Sequence, residues 1–131
     1  MDWSDFVGLP WSERGRGPQS YDCWGLLRAA FEVGTGIELP SHAGAYSAAD
    51  QAETRALIDG ARGEWDGVPV GQERPFDGAV MRLNGELHVG IVVRRGRLLH
   101  VRRGALSAIE PISRFGTNDL ELYRHRRVGQ S

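Results

Sequence analysis

The chain has a single cysteine, in Asp22-Cys23-Trp24-Gly25-Leu26, at what reads as the start of a helix. Two histidines lie further on in strand-like apolar runs, Leu87-His88-Val89-Gly90-Ile91-Val92-Val93 and Leu98-Leu99-His100-Val101. A thiol, an imidazole to take its proton and a second polar group to orient that imidazole are the parts of a thiol hydrolase. Asp22 as N-cap places Cys23 in the first helical turn, where unpaired N–H groups and the positive end of the helix dipole favour a thiolate. The same N–H groups could hold the oxyanion formed when sulfur attacks a carbonyl, at ~3–4 kcal/mol per donor. In this reading His88 moves the proton and His100 fixes its tautomer and tilt. His42, in a loop after Pro40, and His125, in an arginine-rich terminal strand, have weaker claims to a direct role.

These groups must be positioned by local elements. Trp24, Leu27 and Phe31 fall at helical spacing, Leu26 and Ala30 widen the stripe, and Gly34 and Gly36 follow, which predicts a helix from about Asp22 to Val33. Residues 2–9 read as a short helical lead-in, Ser47 to about Gly60 as a second helix with a capping-box variant, and 61–76 as a loop. From Gly78 the period changes to that of strands: Ala79–Leu83, Leu87–Val93, Arg97–Arg102 and, after a loop with Pro111 and Gly116, Leu120–His125. Asn84-Gly85 is a hairpin turn between the first two. Helices followed by an antiparallel meander predict an α+β fold, with N-terminal helices packed on a small antiparallel sheet.

The turn between the histidine strands decides whether they can meet. A two-residue loop at Arg95-Gly96 pairs Val93 with Leu98 and puts His88 and His100 on opposite faces. A three-residue loop, or an equivalent bulge, sets Gly90 opposite His100 and His88 diagonally beside it, with diagonal Cα atoms ~7–8 Å apart. The catalytic reading requires the second arrangement.

Length and composition suit one domain over residues 1–131: 40% of residues are hydrophobic and 25% charged. Sixteen basic residues nearly balance 17 acidic ones, so composition makes no case for nucleic acid. A late concentration of arginines (Arg94, Arg95, Arg97, Arg102, Arg103, Arg124, Arg126, Arg127) reads as solvated strand edges and turns, or as a surface for an acidic partner. One cysteine excludes an intramolecular disulfide. The N-terminus does not read as a secretory signal and no stretch is long and apolar enough for membrane insertion, so another agent is expected to carry the protein beyond the cytoplasm.

At these residues the chain resembles the NlpC family of papain-like cysteine peptidases. Tyr21-Asp-Cys-Trp-Gly-Leu26 is similar to the family's Asp-Cys-Ser-Gly-Leu nucleophile motif. Gly36-Ile-Glu-Leu-Pro40 is similar to its Gly-x-x-Leu-Pro, Arg74-Pro-Phe-Asp-Gly-Ala-Val80 to its Pro-Gly-Asp-Leu-Val, His88-Val-Gly-Ile91 to its His-Val-Gly-Ile, and Leu99-His100 to its third polar position. Each motif alone is weak, and five in order are strong. The resemblance implies the papain-like NlpC fold, catalytic Cys23, His88 and His100, and hydrolysis of the peptidoglycan stem peptide between D-glutamate and a diamino acid, with no metal or other cofactor.

The resemblance also puts Asp22, Tyr21, Trp24 and Trp11 on the substrate side of the site. Trp24 stands where serine is common and Trp11 where many members have tyrosine, so two hydroxyls that hold the substrate's polar end are missing. Gly8-Leu-Pro-Trp11 with Asp-Cys-Trp-Gly is most similar to phage and prophage tail members, which implies tail-tip protein partners and a virion-associated peptidase acting in the periplasm or cell wall. Three alternatives stand beside this reading: a catalytically idle tail-tip structural protein, a zinc site from Cys23, His88 and His100, and a related thiol amidase.

Overall fold

The computed structural model describes residues 1–40, 64–83, 85–116 and 120–128. Its frame is one helix, α1 (Cys23–Thr35), and six strands: β1 (Trp65–Val68), β2 (Gly78–Leu83), β3 (Glu86–Arg94), β4 (Arg97–His100), β5 (Ala108–Pro111) and β6 (Glu121–His125). The strands form one antiparallel sheet in the order β1-β6-β2-β3-β4-β5. This is the expected α+β architecture. The helix expected near Ser47, and His42, lie outside the described residues.

α1 forms where the capping chemistry and the apolar stripe coincide. The Asp22 carboxylate accepts from Gly25 N–H at 2.7 Å, a cap worth about 1 kcal/mol. Leu26, Leu27, Ala30 and Phe31 form the buried stripe. The helix runs two residues past its expected end because Gly34 has no Cβ to collide with the Phe76 ring, which would be 2.1 Å away. It stops at Gly36, left-handed at φ +76°, whose N–H returns to Glu32 O.

The sheet has an apolar set on each face. Val80, Val89, Ile91, Leu99 and Val101 pack with α1, while Ala79, Met81, Val92, Leu98, Leu120 and Leu122 pack with Ile112 and Phe115 on the other side. Trp3–Phe6 and Ile112–Phe115 are single 3-10 turns, the first realising the expected lead-in.

Two expectations need correction. Residues 65–68 are the edge strand β1 and not loop, because Trp65 packs against Phe31 and His125 at ring distances of 5.4 and 4.9 Å. Trp65 is thus partly buried against the core cluster. The stretch expected as loop around Pro111 contains β5, paired with β4 from Arg97↔Pro111 to His100↔Ala108. Pro111 ends this strand on the edge of the sheet, where its missing N–H costs no ladder bond.

Buried acids fasten the sheet. Asp77, 1% exposed, accepts two bonds from Arg124 of β6, at 2.9 and 2.8 Å, and one from Arg74 N. Glu73 accepts from Gly71 N at 2.6 Å and from Gly96 N, at the β3–β4 turn, at 2.9 Å. Burial raises the Glu73 pKa, but the backbone donors outweigh it and leave the carboxyl below its ordinary value.

Candidate active site

Arg94 pairs with Arg97, so the β3–β4 loop is the two-residue Arg95-Gly96, with Gly96 left-handed at φ +82°. That loop alone would separate the histidines. The register then slips between Val92 and Arg94, so that Val92 pairs with Leu98 and Ile91 with Leu99. The extra residue is Val93, and this is the bulge alternative. It restores the alignment in which His88 and His100 share a face.

The two imidazoles are in direct contact. His88 Nε2 and His100 Nδ1 are 2.9 Å apart in a buried hydrogen bond, the rings edge to face. Gly90 gives this pair room: a Cβ there would lie 3.0 Å from Leu99 O, 3.2 Å from Leu98 Cδ1 and 3.4 Å from His100 Cβ. The contacts continue outward. His100 Nε2 meets Glu110 Oε2 at 2.6 Å, Glu110 Oε1 accepts from Arg114 at 2.9 Å, and the Phe115 ring stands edge-on to His100 at 5.0 Å.

Cys23 opens α1 and packs against the cluster that includes Val89, the residue after His88. The backbone amides at Val89 and Trp24, with that of Cys23 itself, act on the sulfur so as to lower its pKa. The β3–β4 pairing runs only as far as Ile91↔Leu99, which leaves the backbone at Val89 to the thiol.

Burial dominates the protonation of the site. It pushes the Cys23 thiol up to about 11, and the Asp22 charge adds to the rise against the three backbone donors. The expected preference for thiolate is thus reversed in the free site, since desolvation outweighs the helix terminus. Burial pushes His88 down to about 3, with the charges of His100 and Arg102 acting the same way. His100 is also held below its ordinary value by burial, although Glu110 opposes this. Glu110 stays below its ordinary value because the bond from His100 and nearby positive charge outweigh its own burial. The resting site is therefore a neutral thiol, two neutral imidazoles and an ionised carboxylate.

The residues expected on the substrate side have varied settings. Asp22 is buried, and its Oδ1 also meets Arg16 Nη1 at 2.8 Å, so its position is set by the cap and this ion pair. Tyr21 is buried beside Phe6, and its hydroxyl occupies the space a Cβ on Gly17 would need, 2.2 Å away. Trp24 is half-buried and donates from Nε1 to Pro40 O at 2.9 Å. Trp11 is half-buried with the Arg103 guanidinium 4.7 Å above its ring. His125 lies apart from the other two histidines, buried against Trp65 and Phe31, with its Nε2 3.4 Å from Glu64.

Glu110 was not among the sequence candidates. The sequence offered only a weak hint of it, Arg114 four residues on. Among the described residues no three histidine, cysteine or carboxylate groups are arranged to hold a metal ion, and no helix is long and apolar enough to cross a membrane.

The sequence profile of the NlpC/P60 family matches residues 8–120. No protein of curated function matches with significance. Among solved structures, the NlpC/p60 domain of the peptidoglycan hydrolase SagA is similar in fold, with TM-score 0.61 and 18% identity over 89% of this chain and 88% of that one. NlpC1 from Trichomonas vaginalis gives TM-score 0.64 at 18% identity, over 91% of this chain and 39% of that one. An NLP/P60-family lipoprotein-like protein of Staphylococcus aureus gives 0.60 at 18%, over 92% of this chain and 37% of that one.

Proposed function

We infer function from the premise that this chain belongs to the NlpC/P60 family: it is a cysteine peptidase that hydrolyses peptidoglycan, with Cys23 as nucleophile, His88 as base and His100 orienting the base. The observation that carries these roles is the buried 2.9 Å contact between His88 Nε2 and His100 Nδ1, beside the strand backbone that receives the Cys23 sulfur.

The chemistry follows from the neutral resting state. Cys23 Sγ attacks the scissile carbonyl carbon as its proton passes to His88, so charge separates only as the carbon–sulfur bond forms. The first amides of α1 lie beside the sulfur, where an oxyanion on the attacked carbonyl needs donors. Collapse of the tetrahedral intermediate breaks the carbon–nitrogen bond, and the His88 proton leaves with the amine. Water, deprotonated by His88, then cleaves the thioester and restores the thiol.

The bond we assign is the one between D-glutamate and the diamino acid of the stem peptide, on the strength of the Asp22–Leu26 and His88–Ile91 motifs. We assign the protein to a phage or prophage tail tip, where it opens the wall for genome delivery alongside tail-tip proteins. That assignment is supported by Gly8-Leu-Pro-Trp11 and by Trp24 following the cysteine.

The test is incubation with diaminopimelate-type muropeptides, with products followed by mass spectrometry beside the Cys23→Ala variant. A new stem fragment that the variant does not make is the expected result, and its mass identifies the bond. Equal activity in a folded Cys23→Ala protein would end the thiol mechanism.

A further inference from the structure

We propose that Glu110 is a positioning residue for this peptidase, setting from the far side of two imidazoles which nitrogen of His88 is free to take the thiol proton; this rests on the Cys23–His88 reading above. The two rings form a directional chain. His100 touches His88 through Nδ1 at 2.9 Å and Glu110 through Nε2 at 2.6 Å. A neutral imidazole carries one N–H and one lone pair, so each ring must donate on one side and accept on the other. Two arrangements are possible. In one, both N–H groups point toward β5: His100 Nε2–H donates to Glu110, His88 Nε2–H donates to His100 Nδ1, and His88 Nδ1 keeps its lone pair. In the other, both are reversed, and the proton on His88 Nδ1 prevents it from acting as a base.

An ionised carboxylate only accepts. It is compatible with the first arrangement, whereas the second would turn the His100 Nε2 lone pair toward a negative oxygen. Two features keep Glu110 ionised and in place. Arg114 Nη1 holds its other oxygen at 2.9 Å, and the bond from His100 with nearby positive charge keeps its pKa below the ordinary value despite burial. The β4–β5 ladder fixes the distance, since Leu98 pairs with Glu110 and His100 with Ala108. When His88 becomes imidazolium during attack, the same carboxylate stabilises the positive charge through His100.

The prediction differs from that of a purely structural ion pair. Glu110→Gln keeps the shape but can donate as well as accept, so it admits the reversed chain. We expect kcat on a stem-peptide substrate to fall about 10²-fold or more with KM little changed, by analogy with the loss when a base is left in the wrong tautomer. In a Cys23→Ala background, 15N shifts of His88 should show Nδ1 unprotonated when Glu110 is present and mixed protonation with Glu110→Gln. Glu110→Asp should recover part of the lost kcat.

Unchanged kcat and unchanged His88 tautomer in Glu110→Gln would overturn the proposal, as would a rise in KM alone. Failure of the underlying reading looks different. Cleavage that survives Cys23→Ala removes the thiol mechanism, whereas Cys23-dependent cleavage that is indifferent to Glu110→Gln removes only the role of Glu110.

Discussion

Gly90→Ala tests whether the spacing of β3 and β4 sets the histidine pair. The added Cβ would meet Leu99 O at 3.0 Å, Leu98 Cδ1 at 3.2 Å and His100 Cβ at 3.4 Å. The leucine methyl can turn aside, but the carbonyl belongs to a strand paired on both sides. Relief therefore requires β4 to move by a few tenths of an ångström, taking His100 with it. The His88–His100 bond starts at 2.9 Å, so the same displacement carries it to the long end of useful hydrogen bonds, ~3.2 Å and beyond. Overpacking of this kind costs ~1–3 kcal/mol, partly offset by ~0.5–1 kcal/mol from replacing glycine within a strand. We expect a net loss of about 1–2 kcal/mol in urea unfolding, and about a tenfold or greater loss in kcat, since positioning errors approaching 1 Å cost ~10² in rate. Gly96→Ala is the control: it has open space around it but φ +82°, and so should lose similar stability while keeping its activity. A destabilised Gly90→Ala protein with full kcat would refute the argument that strand spacing governs the site.

Two further outcomes follow from the charges. Asp22→Asn retains an oxygen to cap Gly25 but removes a negative charge that raises the thiol pKa, so the pH midpoint of Cys23 alkylation should fall; a rise would contradict this assignment. His88 is buried neutral, at about 3 when folded against 6.5 when exposed, so the unfolded chain binds the extra proton. Stability should be complete above pH 6.5 and fall as pH drops toward 3, by up to about 1.4 kcal/mol per unit from this group, with His100 contributing in the same direction. Chemical unfolding across this range should show that slope. His88→Gln should reduce it between pH 6.5 and about 5.5, above the range in which Glu73 and Glu110 take up protons, leaving the share of His100; an unchanged slope would mean His88 is not a group responsible.

Much of the site could be read from residue order because its parts are local. The Asp22 cap, the α1 stripe and the His88 strand each depend on a few neighbouring side chains, and the structure contains all three. What could not be read depended on partners distant in sequence. β1 is a strand because β6, some sixty residues later, pairs with it. Glu110 matters because β5 folds back beside β4, which no pattern within residues 101–116 announces. The thiol's protonation was misjudged because a helix terminus is visible in sequence, whereas the burial that outweighs it belongs to the packed site. The two candidate loops were both legible, and the choice between them was made by Gly96, held by the distant Glu73, together with the bulge at Val93.

That bulge has a consequence for how the gene can vary. Hairpin tips usually tolerate changes of length, because exposed turns carry few constraints. Here the strand after the tip has its phase set by one surplus residue, Val93. Deleting a single codon between Val92 and Arg97 would reverse the alternation of β4, sending His100 toward α1 and Leu99 toward Glu110. Inserting one codon would do the same, whereas a pair of codons added at Arg95-Gly96 would leave the phase intact. In related chains, this turn should therefore change length in steps of two wherever both histidines are kept.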